Sequence, residues 1–383
     1  MAEVNRERLV QFFLEIVRID SLSRREREVA TRLRRELENL GASCEFDRAG
    51  DAIRGDVGNL IAHLPGNRHG VAPLLLCAHM DTVVPGEGIR PVLDGDTIRS
   101  DGRTILGGDD KSGCALICEV LHQLRERDLP HGPIDAVFTI GEEIGLLGAR
   151  HLDLGLVRAR EGLVFDSDSP GHLIVRAPAA QGVRFTVHGV EAHAGVAPER
   201  GISAIKVAAE AIAAMRLGRI DADTTANLGT IQGGRAGNIV PDEVVVRGEA
   251  RSLDARKLAA QVEHMLECFR AATARAAITL DGKRVQAELE YRSVPSYEAM
   301  SVAEDAPIVR KVVEAARRLG REVVPHSTGG GCDANVLNRR GLTVANFGTG
   351  MHDIHTLREW LDVRELVTAA EVTLEMVTLH AGA

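Results

Sequence analysis

The chain has 383 residues, 44% of them apolar, and a formal net charge of −9. That length exceeds what one core usually serves, so two domains are expected, and the apolar content excludes general disorder. The acidic balance excludes the basic footprint of a nucleic-acid binder, and no run reaches the ~18 apolar residues of a membrane span, so neither nucleic acid nor membrane is an expected partner.

Near the start, Leu9, Val10, Phe12, Phe13, Ile16 and Val17 follow a helical period instead of forming the solid apolar block of a signal peptide. The first 40 residues read as two helices, with Ser21 to Ser23 between them supplying N-cap chemistry for the second. From Asn59, short apolar runs alternate with helical segments, which predicts an α/β domain with buried, largely parallel strands. A different unit begins near Ala179. Val183, Phe185 and Val187 alternate as in a half-buried strand, residues 201–217 read as an amphipathic helix, and Thr225 to Gln232 and Glu243 to Arg251 read as strands. Asp254 opens a helix to about Ala274, and Ala287 to Val294 is a last strand. The order is β-α-β-β-α-β, the split βαβ or ferredoxin-like arrangement. The α/β pattern then resumes with a helix over 306–320, a strand from Leu342 to Phe347 and a closing helix from Glu365 to about His380. Residues 180–294 are therefore read as an insertion into a domain formed by 1–179 and 295–383. The six cysteines are scattered without a CxxC pair, which favours a reduced, cytoplasmic protein. Cys114 and Cys118, four apart on an expected helix, read as small core residues.

Four apolar runs each end in a potential metal ligand. LLLCA (74–78) runs into His79-Met80-Asp81, AVFTI (136–140) into Gly141-Glu142-Glu143, and GLVF (162–165) into Asp166. TVANF (343–347) leads through a glycine-rich turn to His352 and His355, either of which is a candidate. Open α/β sheets bind ligands outside the carboxyl ends of their strands, so these groups are expected on one rim. A fifth segment, Gly107-Gly108-Asp109-Asp110-Lys111-Ser112-Gly113, has glycines on both sides that permit close backbone approach. Taken singly, each residue has an ordinary explanation: Asp166 as a turn or cap residue, Glu142-Glu143 as acids at a helix start, His79 as a satisfied buried histidine. Together they form an oxygen and imidazole donor set without thiolate, which suits zinc, manganese or cobalt. Two metals ~3.5–4 Å apart need about five protein ligands, one of them bridging, and the sequence offers that number. No GxSxG, HExxH or GxxxxGK[ST] motif is present to support a serine hydrolase, a zincin or a nucleotide enzyme.

The phrases His79-Met80-Asp81-Thr82-Val83, Gly108-Asp109-Asp110-Lys111-Ser112-Gly113, Gly141-Glu142-Glu143-Ile144-Gly145 and His193-Ala194-Gly195 resemble the signatures of the dinuclear zinc metallopeptidases that include peptidase T, carboxypeptidase G and the aminoacylases. The resemblance covers nearly the whole chain. It implies a zinc-peptidase-like mixed sheet flanked by helices, with the insertion serving as a ferredoxin-like lid and dimerisation domain. By resemblance, His79 and Asp166 bind one metal, Glu143 and His355 the other, and Asp109 bridges both through a cis peptide to Asp110. His355 is preferred to His352 because Ile354-His355-Thr356 followed by Glu359 fits the family's closing motif. Asp81 orients His79 by accepting its free ring N–H, and Glu142 is the general base. His193, in dimeric members, reaches the partner subunit's site and stabilises the oxyanion. Asn238, in Gly237-Asn-Ile-Val-Pro241, resembles a lid residue that contacts substrate.

Within the family, Thr328-Gly-Gly-Gly331-Cys-Asp333-Ala-Asn335 and Phe347-Gly-Thr-Gly350-Met-His resemble the peptidase T-like branch, and Gly330 is carried over from it as a substrate-contact position. That branch has an arginine before its glycines where this chain has Thr328, so the guanidinium that serves carboxylate recognition is missing. The expectation is a two-metal aminopeptidase acting on short peptides, working as a homodimer, with two divalent ions per chain, Zn2+ first and Mn2+ or Co2+ as alternatives. Two rivals stand beside it. One is an N-acyl amino acid hydrolase or carboxypeptidase using the same site. The other is a degenerate peptide-binding protein, disfavoured because every ligand position and the base are filled.

Overall fold

The computed structural model describes residues 3–382. Contacts divide the chain into two units. The first comprises Met1–Arg176, Met300–Thr328 and Cys332–Ala383, and the second Ala177–Ala299 with Gly329–Gly331. Among the described residues, no helix is long and apolar enough to cross a membrane.

The first unit is built on a mixed sheet. Its centre is four parallel strands in the order Ile134–Thr139, Leu74–His79, Glu161–Ser167, Thr343–Gly348. These are the four apolar runs of the sequence. Their inner residues are buried on both faces, as in parallel sheets covered by helices on either side. Outside this centre, Leu60–Leu64 and Ser43–Phe46 on one side and His172–Ala177 on the other are added in antiparallel fashion, which makes the sheet mixed, while Val324–Ser327 pairs parallel with His172–Ala177. From Leu74–His79 the chain goes first to one neighbouring strand and then to the other, so this strand marks the topological switch point. The helix Gly108–Glu126 packs on Leu74–His79 and Glu161–Ser167, with the helices Arg6–Ile16 and Val363–His380 against it. Cys114 and Cys118 lie in this helix, fully buried and free, as core residues. The helix can sit this close because residue 113 is glycine. A Cβ there would lie 2.5 Å from Asp110 Oδ1 and 2.7 Å from the Phe165 carbonyl.

The two N-terminal helices form at Arg6–Ile16 and Arg27–Asn39. Asn5 caps the first by accepting from Arg8 N–H. The expected serine cap of the second does not form. Its N-cap position is Glu26, which makes no side-chain cap hydrogen bond. Ser21 donates instead to the Met80 carbonyl (2.8 Å), and Ser23 to Asp81 Oδ2 (2.6 Å). A carboxylate and a carbonyl held in place by a neighbouring strand end are the partners these hydroxyls find.

The second unit has its own core, centred on Phe185, Phe269, Met265 and Val246. Its antiparallel sheet runs Gly218–Arg219, Thr224–Gly233, Glu243–Ser252, Ala179–His188, Glu288–Tyr297. With the helices Ala204–Ala213 and Ala255–Arg275 this gives the β-α-β-β-α-β order. Asp254 caps the second helix by accepting from Arg256 and Lys257 N–H. The first is shorter than its periodicity suggested at both ends: Ser203 caps it by accepting from Lys206 N–H, so residues 201–203 stay outside the helix, and it ends at Ala213, before residues 214–217.

Candidate metal centre

His79 is the last residue of its strand, Asp166 stands near the end of the next, and Glu142 and Glu143 follow the Ile134–Thr139 strand after a turn in which Gly141 takes φ 58°. Asp109 enters from the segment before Lys111. It and Asp110 have non-helical backbone angles, and the peptide between them is cis, the isomer the family resemblance implies. His355 comes from the loop after Met351–His352 and has φ 61°.

These side chains meet. Asp109 faces an imidazole with each oxygen: Oδ1 lies 3.0 Å from His79 Nε2, and Oδ2 lies 3.1 Å from His355 Nε2. His355 Nε2 is also 3.0 Å from Glu143 Oε1. Three overlapping groups could each hold a metal ion, with donor atoms within 4.8 Å of one another: His79, Asp109 and Asp166; His79, Glu142 and Glu143; Asp109, Glu143 and His355. His352 is not among them. It pairs with Trp360 across a short antiparallel ladder, stacks on its ring at 4.2 Å, and lies 2.8 Å from Glu365.

The electrostatics suit a cation. Burial pushes Asp166 and Glu142 well above the usual carboxylate range, with neighbouring acids adding to the effect, and burial also raises Glu143. Burial opposes ionisation of Asp109 as well, but the two histidines outweigh it and hold its carboxyl below the usual range. Hydrogen bonds to Asp109 and Glu143 raise His355 to about 10. Carboxylates crowded until they resist ionisation, with imidazoles drawn toward protonation, form a donor set whose excess negative charge a divalent ion neutralises.

The backbone of the cluster lies at the ends of the sheet's ladder or beyond it, so its N–H groups need other partners. Buried polar side chains supply them. Asp110 Oδ2 accepts from His79 N–H (3.1 Å), and Asn346 Oδ1 from Asp166 N–H (2.8 Å). Asp81 accepts from Glu142 N–H (2.9 Å) and Glu143 N–H (3.2 Å). Glu359 accepts from Leu106 (2.7 Å), Gly107 (2.9 Å) and Asp109 (3.1 Å). The ring contact expected of Asp81 differs in its atom. His79 Nδ1 is 2.9 Å from the Asp81 carbonyl oxygen and 3.5 Å from its carboxylate, because that carboxylate is occupied by the two N–H groups and Ser23.

His193, Asn238 and Gly330 all belong to the second unit and are exposed. The strand Ala192–His193 pairs with Ile239–Val240, and Ala194 N–H donates to the Asn238 carbonyl (3.0 Å), which brings His193 and Asn238 together. Gly195 N–H donates to His193 Nδ1 (3.2 Å). Reading the residues alone missed Asn346 and Glu359 as supports for the cluster. Asn346 had a signal, since it is the one polar side chain within the last two-thirds of an otherwise apolar strand.

Known proteins resemble this chain along its length. The pattern of peptidase family M20/M25/M40 matches residues 75–379. The YqjE protein of Bacillus subtilis strain 168 is 40% identical over 98% of each chain. Aminopeptidase PepT from Bacillus cereus superposes with a TM-score of 0.86 at 40% identity, covering 99% of this chain and 100% of that one. A tripeptidase from Staphylococcus aureus superposes with a TM-score of 0.91 at 36% identity, covering 100% of both. With the matched pattern running from the Leu74–His79 strand into the closing helix, this chain belongs to peptidase family M20/M25/M40.

Proposed function

We propose that this metallopeptidase removes the N-terminal residue from short peptides, with tripeptides as the leading substrate class, using two divalent ions of which zinc is the first choice. The observation that carries the two-ion reading is Asp109, whose two carboxylate oxygens face two different histidines at 3.0 and 3.1 Å. His79 and Asp166 would hold one ion, Glu143 and His355 the other, and Asp109 both. When bound, the ions supply Lewis-acid polarisation of the scissile carbonyl and acidify a water.

The chain's own residues do the rest. Glu142 takes the water's proton on its buried carboxylate and passes it to the leaving amine. Asp81 holds the backbone on which Glu142 and Glu143 are carried. His193 donates to the oxyanion in the partner subunit of a homodimer formed through residues 180–294 of the second unit, which act as lid and dimerisation domain. The Gly195 N–H at His193 Nδ1 supports this role, because a neutral ring accepting there carries its proton on Nε2. Asn238 and Gly330 contact the substrate. The substrate class draws support from the aminopeptidase and tripeptidase that this chain resembles along its length. A cytoplasmic location is supported by six cysteines that are all free.

Thr328, where an arginine stands in peptidase T, weakens the transfer of tripeptide specificity, so a second reading, in which the same site cleaves N-acyl amino acids, is tested beside the first. A panel of free tripeptides, dipeptides and N-acetyl amino acids, assayed with zinc, manganese and cobalt, separates the two. Release of the N-terminal residue from tripeptides supports the aminopeptidase. Turnover confined to N-acetyl substrates overturns it.

A further inference from the structure

Three consecutive backbone N–H groups lead through the Glu142–Glu143 pair, and two buried acids take all three. Glu26 Oε1 accepts from Gly141 (3.0 Å), and Asp81 accepts from Glu142 (2.9 Å) and Glu143 (3.2 Å). Asp81 is itself held by the Ser23 hydroxyl at 2.6 Å. Ser23 lies within a turn closed by Arg25 N–H donating to the Leu22 carbonyl at 2.8 Å, and Glu26 follows that turn directly. The turn is tied to the end of the His79 strand. Thr82 N–H donates to the Ser21 carbonyl (3.0 Å), and the Ser21 hydroxyl donates to the Met80 carbonyl (2.8 Å).

An exposed glutamate at a helix start needs no explanation beyond the helix dipole. Glu26 is not exposed. It is fully buried, it makes no side-chain cap hydrogen bond, and its second oxygen has no hydrogen-bond partner among the described residues. Burial and the nearby Asp81 push its carboxyl up to about 7. A buried, half-satisfied acid costs stability, and capping returns none of that cost here. What it does instead is hold Gly141, the left-handed residue (φ 58°) that sets the direction in which Glu142 and Glu143 leave the strand. Two adjacent glutamates with different tasks depend on that direction, and a displacement of ~1 Å at a catalytic group costs roughly 10²-fold in rate.

We propose that the Ser23–Glu26 turn is a positioning device for the reaction, in which Glu26 fixes Gly141 and Ser23 fixes Asp81, so that the Glu142 base and the Glu143 ligand are aimed separately. The proposal rests on the roles given to Glu142 and Glu143 above. Glu26 touches neither substrate nor ion and acts through the backbone of residue 141.

The test compares Glu26→Ala, Glu26→Gln and Ser23→Ala with the unaltered chain, all loaded with cobalt. It measures kcat and KM on one peptide, and cobalt affinity by chelator competition. Glu26→Ala is expected to lower kcat or cobalt affinity by about 10–100-fold with KM nearly unchanged, the usual scale for losing a support of a metal ligand. Glu26→Gln keeps an oxygen that accepts from Gly141 and is expected to stay near the unaltered values. Ser23→Ala is expected to lower kcat in the same direction by less. Unaltered kcat and cobalt affinity in Glu26→Ala overturns the proposal, and so does Glu26→Gln as damaged as Glu26→Ala. If Glu26→Ala does not fold, unaltered kcat in Ser23→Ala overturns it. Absence of metal-dependent peptide hydrolysis in the unaltered chain fails the reading of Glu142 and Glu143 instead, and the cobalt affinities still decide the role of the turn.

Discussion

Replacing Glu359 with alanine removes, at one stroke, the acceptor for three backbone N–H groups in the segment that leads to Asp109. Glu359 is 1% exposed and Leu106 is fully buried, so water has little access to replace the lost bonds. An unpaired buried N–H costs about 1–3 kcal/mol, so three cost about 3 kcal/mol at the lower end. For a unit of roughly 250 residues, at about 2–4 °C per kcal/mol, the melting temperature falls by about 6–12 °C. Glutamine separates the contributions. One oxygen, Oε2, takes both Leu106 and Gly107, while Oε1 takes only Asp109. A carboxamide oxygen placed at Oε2 keeps the first two bonds and turns its NH2 toward the Asp109 N–H, so Glu359→Gln loses one bond and about 1 kcal/mol. The assay is a thermal melt of both variants in the metal-loaded protein, with metal content measured alongside. A Glu359→Ala melt within about 2 °C of the unaltered chain, less than 1 kcal/mol on this scale, refutes the reasoning.

Two other outcomes follow from the structure. Glu36, 2.6 Å from His122 and 2.8 Å from Arg32, is held by the His122 hydrogen bond, with Arg32 assisting against burial, at about 2 instead of 4.5. Its folded pKa is depressed, so its contribution to stability is present above pH 4.5 and is lost as pH falls toward about 2. Glu36→Gln should flatten the fall in melting temperature across that window, and an unchanged acid limb contradicts the assignment. For His193, mixing inactive His193→Ala and Glu142→Ala chains under conditions of subunit exchange should restore about a quarter of the sites, since only mixed dimers build one complete site each. No recovery, with exchange demonstrated, places His193 in its own chain's site or outside catalysis.

The metal-ligand candidates were legible because buried parallel strands read as unbroken apolar runs, and the polar residues that end them stand out. His79, Glu142, Glu143 and Asp166 were visible for that reason, and they converge because the three strands that carry them are neighbours in the sheet. The choice of His355 over His352 was not legible from the residues alone. It depends on the strand Met351–His352 pairing with Trp360–Asp362, which points His352 to Glu365 and leaves His355 for the loop. The supports were hidden for another reason. Glu26 meets Gly141 across 115 residues, and Glu359 meets Leu106 across 253. Locally each is an ordinary acid, and only the fold makes it the acceptor for a particular N–H. Ser21 and Ser23 carried the opposite error: a serine before a helix is usually its cap, and here a nearer strand end takes both hydroxyls.

In the proposed function, Glu142 moves the proton while its neighbours hold the ions. This division of roles is tested most directly by measuring metal content and peptide turnover together on Glu142→Ala. The expected result is about two ions per chain, as in a dinuclear site, with turnover abolished. Loss of an ion together with activity contradicts it, because Glu142 is then a ligand. Retained turnover contradicts it as well, because the base then lies elsewhere.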